Sequence, residues 1–209
     1  MISHYAKIQK KSNDLSKFIQ GKLNGAPTPS KPFDNNSSLA KQLEMVTKLI
    51  AIRNDLDNNT KRQIFFVGFG GWDTHKDQNE RHPKLLRQLS KSLSTFYLAL
   101  EELDVTNQIT IFTASEFGRT LTPNSSGTGH GWGGHNLVMG GSVNGGDIFG
   151  KMPKLQTDSP DAIEDRGRII PTISVEQYSA TLASWFGLSE QQINTIFPIL
   201  NLFEVVVTL

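Results

Sequence analysis

The chain has 209 residues, of which 37% are hydrophobic and 20% charged, and this is enough for one domain with a sizeable core. It has no cysteine, so disulfides, thiolate metal ligands and a cysteine nucleophile are excluded. The net charge of +1 argues against nucleic acid as a partner, and the sequence has no apolar run long enough to insert across a bilayer.

The charge is unevenly distributed along the chain. Residues 1–62 carry 11 Lys/Arg and 5 Asp/Glu, a balance of +6, whereas residues 157–209 carry 2 and 7, a balance of −5. We interpret the two regions as solvated helix faces that complement each other, in preference to a nucleic-acid patch.

The first predicted elements are helical. Residues 3–23 are polar with a broken apolar stripe, and residues 24–36 are a proline-containing loop. Ser38 can cap the helix that follows, and its apolar residues recur at spacings of four, three and four: Leu39, Leu43, Val46 and Ile50. Residues 55–60 are turn-like.

A strand–helix–strand pattern comes next. Ile64–Val67 is a short apolar run typical of a strand buried on both faces, and glycines follow it. Pro83 suits the first turn of a long helix whose stripe is Leu86, Leu89, Leu93, Phe96, Leu100 and Leu103. A second strand is predicted at 109–114. The pattern predicts an α/β fold with a mostly parallel sheet flanked by helices.

The remaining residues form a glycine-rich region and two capped helices. A loop that includes 127–135 precedes a short third strand at 137–139. Ser174 with Gln177, and Ser189 with Gln192, have the spacing of capping boxes, and Gly187 suits a helix C-terminus.

Residues able to carry chemistry follow the predicted strands. Asp73 and His75 follow the first strand, Glu116 follows the second, and His130 and His135 lie in the glycine-rich loop. Because ligands bind at the carboxyl ends of strands in open α/β sheets, we expect these side chains to meet there. Carboxylates and neutral imidazoles together suit zinc or manganese. Arg119 offers a planar fork of donors to a phosphate or sulfate.

Each of these residues also has a plainer interpretation. Asp73 can cap a turn, His75 can be an exposed loop residue, and Glu116 can pair with Arg119 on a helical turn. The loop histidines can be unbound. Taken together, their placement after successive strands favours a site. A Walker phosphate loop and a Gly-x-Ser-x-Gly elbow are both absent from the sequence.

Several motifs resemble one family. They are Gly70–His75, Ser115–Thr120, Gly127–His135, Val138–Gly141, Arg166–Thr172 and Gln177–Gly187. In this order, from about Ser38 to Phe203, they resemble the DUF1501 family, whose members are called sulfatase-like or twin-arginine-exported proteins. The resemblance implies an alkaline phosphatase-like fold and a periplasmic location, although the N-terminus here has no signal-peptide apolar core.

The resemblance also implies roles for individual residues. Asp73 and His75 resemble a pair of metal ligands, Glu116 stands where the wider superfamily commonly has ligands, and His130 or His135 resembles a later ligand. Gly129 replaces an aspartate that relatives carry before the loop histidine, so an aspartate there is expected to supply another ligand. The family's N-terminal strand is absent, which implies that a preceding segment is missing.

The sequence therefore predicts one α/β domain over 1–209, with 1–37 as a helix and loop extension and 38–203 resembling the C-terminal half of the family. The predicted function is a metal-dependent hydrolase of small phosphate or sulfate esters, or an incomplete remnant of one. Asp73, His75, Glu116, His130 and His135 are the predicted ligands, and Glu116 and Arg119 the predicted catalytic residues. The alternatives are a non-catalytic binding module and a truncated product that retains the fold.

Overall fold

The computed structural model describes residues 2–56 and 61–202, in which three α-helices are followed by six short strands and then by two α-helices. The helices are α1 (Ile2–Asn24), α2 (Ser38–Ala51), α3 (Gln78–Glu102), α4 (Val175–Phe186) and α5 (Glu190–Ile196). The strands are β1 (Thr110–Phe112), β2 (Gly118–Asn124), β3 (Gly127–Gly131), β4 (Val138–Gly140), β5 (Ala162–Ile163) and β6 (Arg168–Ile169). Within the described residues, none of these helices combines the length and apolar character that crossing a membrane requires. The turn predicted at 55–60 lies partly outside the described residues.

The chain divides into two compact units. One contains Met1–Gly70 and Leu86–Val105, and the other contains Gly71–Leu85 and Thr106–Leu209. The boundary passes through α3, which contributes residues to both units. The prediction of one domain over 1–209 stays a prediction.

The core of the first unit is built on α2. Its predicted apolar stripe is confirmed, because all four of its members are buried: Leu39, Leu43, Val46 and Ile50. Phe96, Ala99 and Leu100 of α3 are also buried in this unit. Ser37, one residue earlier than predicted, caps α2 by accepting a hydrogen bond from the Ala40 amide at 3.1 Å.

The second unit contains three antiparallel strand pairs. β1 pairs with β4, β2 pairs with β3 as a hairpin, and β5 pairs with β6. The Leu121 amide donates to the Gly167 carbonyl and the Thr122 amide to the Arg166 carbonyl, each at 3.0 Å. The segment just before β6 is therefore hydrogen-bonded to β2. The short strands predicted at 109–114 and 137–139 are found as β1 and β4, within one to two residues at each end.

The predicted fold class, an α/β fold with a mostly parallel sheet, is wrong. All strand pairs among the described residues are antiparallel two-stranded pairs. Residues 64–67 form no strand, and Ile64 and Phe66 are 76% and 96% exposed rather than buried. An apolar run becomes a buried parallel strand only where neighbouring strands flank it, and no described strand pairs with this one. The alkaline phosphatase-like fold is therefore not supported.

The helix-terminal predictions near the C-terminus are confirmed. Ser174 with Gln177, and Ser189 with Gln192, form complete capping boxes at α4 and α5. Gly187 ends α4 with a φ of 99°, a backbone conformation that suits glycine. By contrast, Pro83 lies inside α3, because that helix begins earlier than predicted, at Gln78.

Replacing Tyr178 with phenylalanine is expected to reduce stability by about 1 kcal/mol, the typical net value of one hydrogen bond. The Tyr178 hydroxyl donates to the Thr113 carbonyl at 3.1 Å, and burial raises the pKa of Tyr178 to about 12. As pH rises above 10, the unfolded chain loses this proton first, so stability should fall towards pH 12. Urea unfolding of wild type and Tyr178→Phe at pH 8 and pH 11 measures both effects.

Tyr5→Phe is the matched control, because Tyr5 is 70% exposed. It should change stability little at either pH. An alkaline loss of stability in Tyr178→Phe as large as in wild type would contradict the prediction.

Candidate metal centre

Asp73 and His75 lie in an irregular segment that ends where α3 begins. Thr74, between them, is completely buried, and its carbonyl accepts a hydrogen bond from the Thr128 amide of β3 at 3.2 Å. In an extended chain successive side chains point in opposite directions. Burying Thr74 therefore leaves Asp73 and His75 exposed beside β3, with side chains 50% and 48% exposed.

The β2–β3 hairpin supplies the other side of the site. Arg119 of β2 is the direct cross-strand partner of His130 of β3, so their side chains are neighbours. In β3, Thr128 and His130 are two residues apart and lie on the same face of the hairpin. Arg168 donates from Nε to the His130 carbonyl at 3.1 Å and holds this end of the strand.

Gly127 allows β3 to approach the Asp73–His75 segment. A Cβ at this position would lie closer than 3.0 Å to the Thr74 carbonyl oxygen and to main-chain atoms of His75. These are backbone atoms, which cannot rotate away as a side chain could. Any larger residue would therefore separate His75 from His130.

Three side chains converge on one point. His75 Nε2 lies 3.0 Å and His130 Nε2 lies 3.1 Å from Asp73 Oδ1, and the two nitrogens are 3.2 Å apart. For comparison, ligand bonds of about 2.0–2.1 Å in a tetrahedral zinc site place neighbouring ligand atoms roughly 3.3 Å apart. Asp73, His75 and His130 thus form a group that could hold a metal ion.

Arg119 approaches the same carboxylate oxygen. Its Nη1 donates to Asp73 Oδ1 at 2.6 Å. Its Nε donates to Thr128 Oγ1 at 2.8 Å, and its Nη2 donates to the Thr128 carbonyl. Thr128 thus occupies the Nε–Nη2 edge, and only the edge formed by Nη1 and Nη2 is directed towards Asp73.

The local electrostatics keep Asp73 ionised. The hydrogen bond from Arg119 is the largest influence, and together with the nearby His130 and His75 it lowers the pKa of Asp73 below its ordinary value. Partial desolvation of the Asp73 carboxylate acts in the opposite direction and raises its pKa. An ionised carboxylate is the form that binds a cation.

Phe117 orients the His130 ring. The two rings are stacked, with centroids 3.9 Å apart and planes inclined by 12°. Stacking restricts rotation of the imidazole, so Nε2 stays directed towards Asp73 and His75.

The structure separates the other predicted ligands from these three. Among the described residues, the group of close ligand atoms includes neither Glu116 nor His135. Glu116 is exposed; it follows β1, as predicted, but β1 is antiparallel to its partner β4, and Glu116 comes just before β2. His135 lies beyond the end of β3, where its Nε2 is 3.4 Å from Met152 Sδ. Their roles as ligands, and the catalytic role of Glu116, stay predictions.

Gly129 faces away from the three ligand atoms. A Cβ at this position would be 3.6 Å from Thr120 Oγ1 and 4.0 Å from Arg166 Nη1, on the opposite side of β3 from His130. The position has no positive φ. An aspartate here would lie beside Arg166, so the sequence-based expectation that it would add a ligand loses its geometric basis.

Sequence reasoning missed three residues that support the site: Phe117, Thr128 and Gln78, whose side-chain oxygen accepts a hydrogen bond from Thr128 Oγ1. The segment Gly-Thr-Gly-His-Gly at 127–131 alternates glycine with larger residues at the two-residue period of a strand. Interpreting it as a loop concealed that Thr128 and His130 share one face.

No match to the chain was found among the curated proteins or the solved structures. Residues 40–197, which include the whole of the Asp73, His75 and His130 group, match the model of a family described as "Protein of unknown function (DUF1501)". The chain belongs to the DUF1501 family.

Proposed function

We propose that Asp73, His75 and His130 bind one divalent transition metal, zinc or manganese, and that the loaded site hydrolyses small phosphate or sulfate esters. The observation that carries the proposal is the mutual spacing of 3.0–3.2 Å between one carboxylate oxygen and two imidazole nitrogens. Two nitrogens and one oxygen suit both metals, and three protein ligands leave a position for water or substrate, as in catalytic zinc sites.

A bound divalent metal supplies two effects, a lowered pKa of its water and a positive charge beside the reacting oxygen. Arg119 adds a second positive group on the same side of the hairpin. Its side chain is only 16% exposed, so its Nη1 and Nη2 donors are held in place rather than free to move in solvent. A guanidinium edge matches two oxygens of a phosphate or sulfate group.

Water is the nucleophile in this proposal. The hydroxyl of Thr128 accepts from Arg119 and donates to Gln78, and the hydroxyl of Thr74 is buried and hydrogen-bonded to Gln78. Neither hydroxyl is available to attack an ester. Turnover by this chain should therefore be slow, below about 1 per second, the lower end of typical enzymes.

The second candidate function is a non-catalytic binding module. The three ligand side chains are each about half exposed, so the site excludes water poorly. Because catalytic sites usually exclude water, this exposure favours the binding module. The periplasmic location implied by the sequence resemblance stays a prediction under either function.

Calorimetric titration and a turnover assay distinguish the two functions. The chain is stripped with a chelator and titrated with zinc and manganese, and hydrolysis of an aryl phosphate and an aryl sulfate is then followed with wild type and Arg119→Leu. One bound metal per chain, with slow metal-dependent turnover that Arg119→Leu reduces, is the expected result.

Metal binding without turnover would leave the binding module as the function. Failure of wild type to bind either metal would overturn the proposal.

A further inference from the structure

A hydrogen-bonded network of side chains lies beside the proposed ligands, and none of its members is a proposed metal ligand. The Gln78 side-chain oxygen, Oε1, accepts hydrogen bonds from Thr128 Oγ1 at 2.6 Å and from Thr74 Oγ1 at 3.1 Å. His82 Nε2 lies 2.9 Å from Thr74 Oγ1 and extends the network along α3.

The direction of the hydrogen bonds is fixed by Arg119. A guanidinium can only donate, so Thr128 Oγ1 accepts from Arg119 Nε at 2.8 Å. The Thr128 hydroxyl proton must then point elsewhere, and Gln78 Oε1 is its acceptor. The Thr74 hydroxyl lies 3.1 Å from the same oxygen and 2.9 Å from His82 Nε2.

Burial makes this acceptor important. Thr74 is completely buried and Thr128 is 8% exposed, so water is poorly placed to replace a lost partner. Gln78 is itself held in place, because it is the first residue of α3 and its backbone amide donates to the Ser126 carbonyl in the β2–β3 turn at 2.9 Å.

We propose that Gln78 is the positioning residue for Arg119, acting through Thr128. By accepting the Thr128 hydroxyl proton, Gln78 leaves a lone pair of Thr128 Oγ1 directed at Arg119 Nε. The resulting hydrogen bond fixes the guanidinium so that Nη1 and Nη2 are directed towards Asp73. The consequence rests on the proposed function: a tetrahedral oxyanion at the site is bound by the Nη1–Nη2 edge alone, because Thr128 occupies the other edge.

The first test needs neither metal nor activity. Hydrogen exchange of the Arg119 Nε proton is measured by NMR on the metal-free protein, with the signal assigned from Arg119→Lys. Gln78→Leu should accelerate this exchange by at least about tenfold, the effect of losing one hydrogen bond to a charged group. Gln78→Glu keeps an acceptor oxygen and should retain the slow exchange.

Thr128→Val, which keeps the side-chain volume but removes the hydroxyl, and Thr128→Ser, which keeps the hydroxyl, form a second pair. Valine should accelerate the exchange and serine should not, so the comparison stands if Gln78→Leu fails to fold. Equal exchange in Gln78→Leu and wild type, or equally fast exchange in Gln78→Glu and Gln78→Leu, would overturn the positioning role.

Inorganic sulfate gives the second readout. Calorimetry on the zinc-loaded protein, at a zinc concentration that saturates each variant, should show sulfate binding about tenfold weaker in Gln78→Leu than in wild type. Sulfate affinity that stays at the wild-type value while zinc still binds would overturn the oxyanion consequence. Absence of zinc binding in wild type would overturn the proposed function instead, and the exchange measurement would still decide the role of Gln78.

Discussion

Replacing His130 with alanine is expected to weaken zinc binding by at least about 100-fold, since loss of even an outer hydrogen-bonding partner of a metal site costs 10–100-fold. His130 Nε2 lies 3.1 Å from Asp73 Oδ1 and 3.2 Å from His75 Nε2. Without it only two of the three ligand atoms remain, and β3 offers no replacement because its neighbours on either side are glycines. Titration calorimetry on the chelator-stripped protein measures the change.

His135→Ala is the matched control for this prediction. It removes the same side chain from the same glycine-rich segment, but His135 lies against Met152 and outside the group of ligand atoms. Zinc affinity should stay at the wild-type value. Equal losses in the two variants would mean that zinc is bound elsewhere in the segment and not by the three ligands.

Gly127→Ala is expected to lower the free energy of unfolding by about 1–3 kcal/mol, the usual cost of forcing extra atoms into a packed site. The added Cβ would meet main-chain atoms of Thr74 and His75 at less than 3.0 Å, so the hairpin must move away from that segment. For a chain of this size each kcal/mol corresponds to roughly 2–4 °C in the thermal midpoint. Thermal unfolding followed by circular dichroism measures the shift, and zinc affinity should fall with it.

Gly129→Ala provides the comparison two residues away. Its Cβ would make ordinary contacts at 3.6 Å and its φ is not positive, so the same substitution should be tolerated. Alanine in place of a strand glycine can even stabilise by reducing the freedom of the unfolded chain. Thermal midpoints that fall equally in both variants would refute a specific close approach at Gly127.

The helices were predictable because their signals are local. The stripe of α2 repeats within one element, and the capping boxes of α4 and α5 are complete within four residues of sequence. The sheet was not predictable in the same way. Residues 64–67 have the composition of a buried strand, but burial depends on partners elsewhere in the chain, which composition does not reveal.

The candidate site was predictable in part for a related reason. Asp73 and His75 are joined by two peptide bonds, and their proximity to each other is nearly guaranteed by sequence. The position of His130 beside Asp73 and His75 depends on the register of the β2–β3 hairpin and on the small size of Gly127. Glu116 comes just before this hairpin and His135 soon after it, whereas His130 lies within β3, and the sequence does not mark where the strands end.

The exposed apolar segment after residue 60 has a consequence for solubility. Residues 63–69 read Gln-Ile-Phe-Phe-Val-Gly-Phe, without charge or proline, and Phe66 is 96% exposed on a segment that forms no strand. Segments of this composition pair readily with copies of themselves and initiate cross-β stacking. Lys61 and Arg62 stand directly before it and act as gatekeepers, because stacked copies would bring rows of like charges together. We expect these two cations to reduce aggregation through this exposed segment.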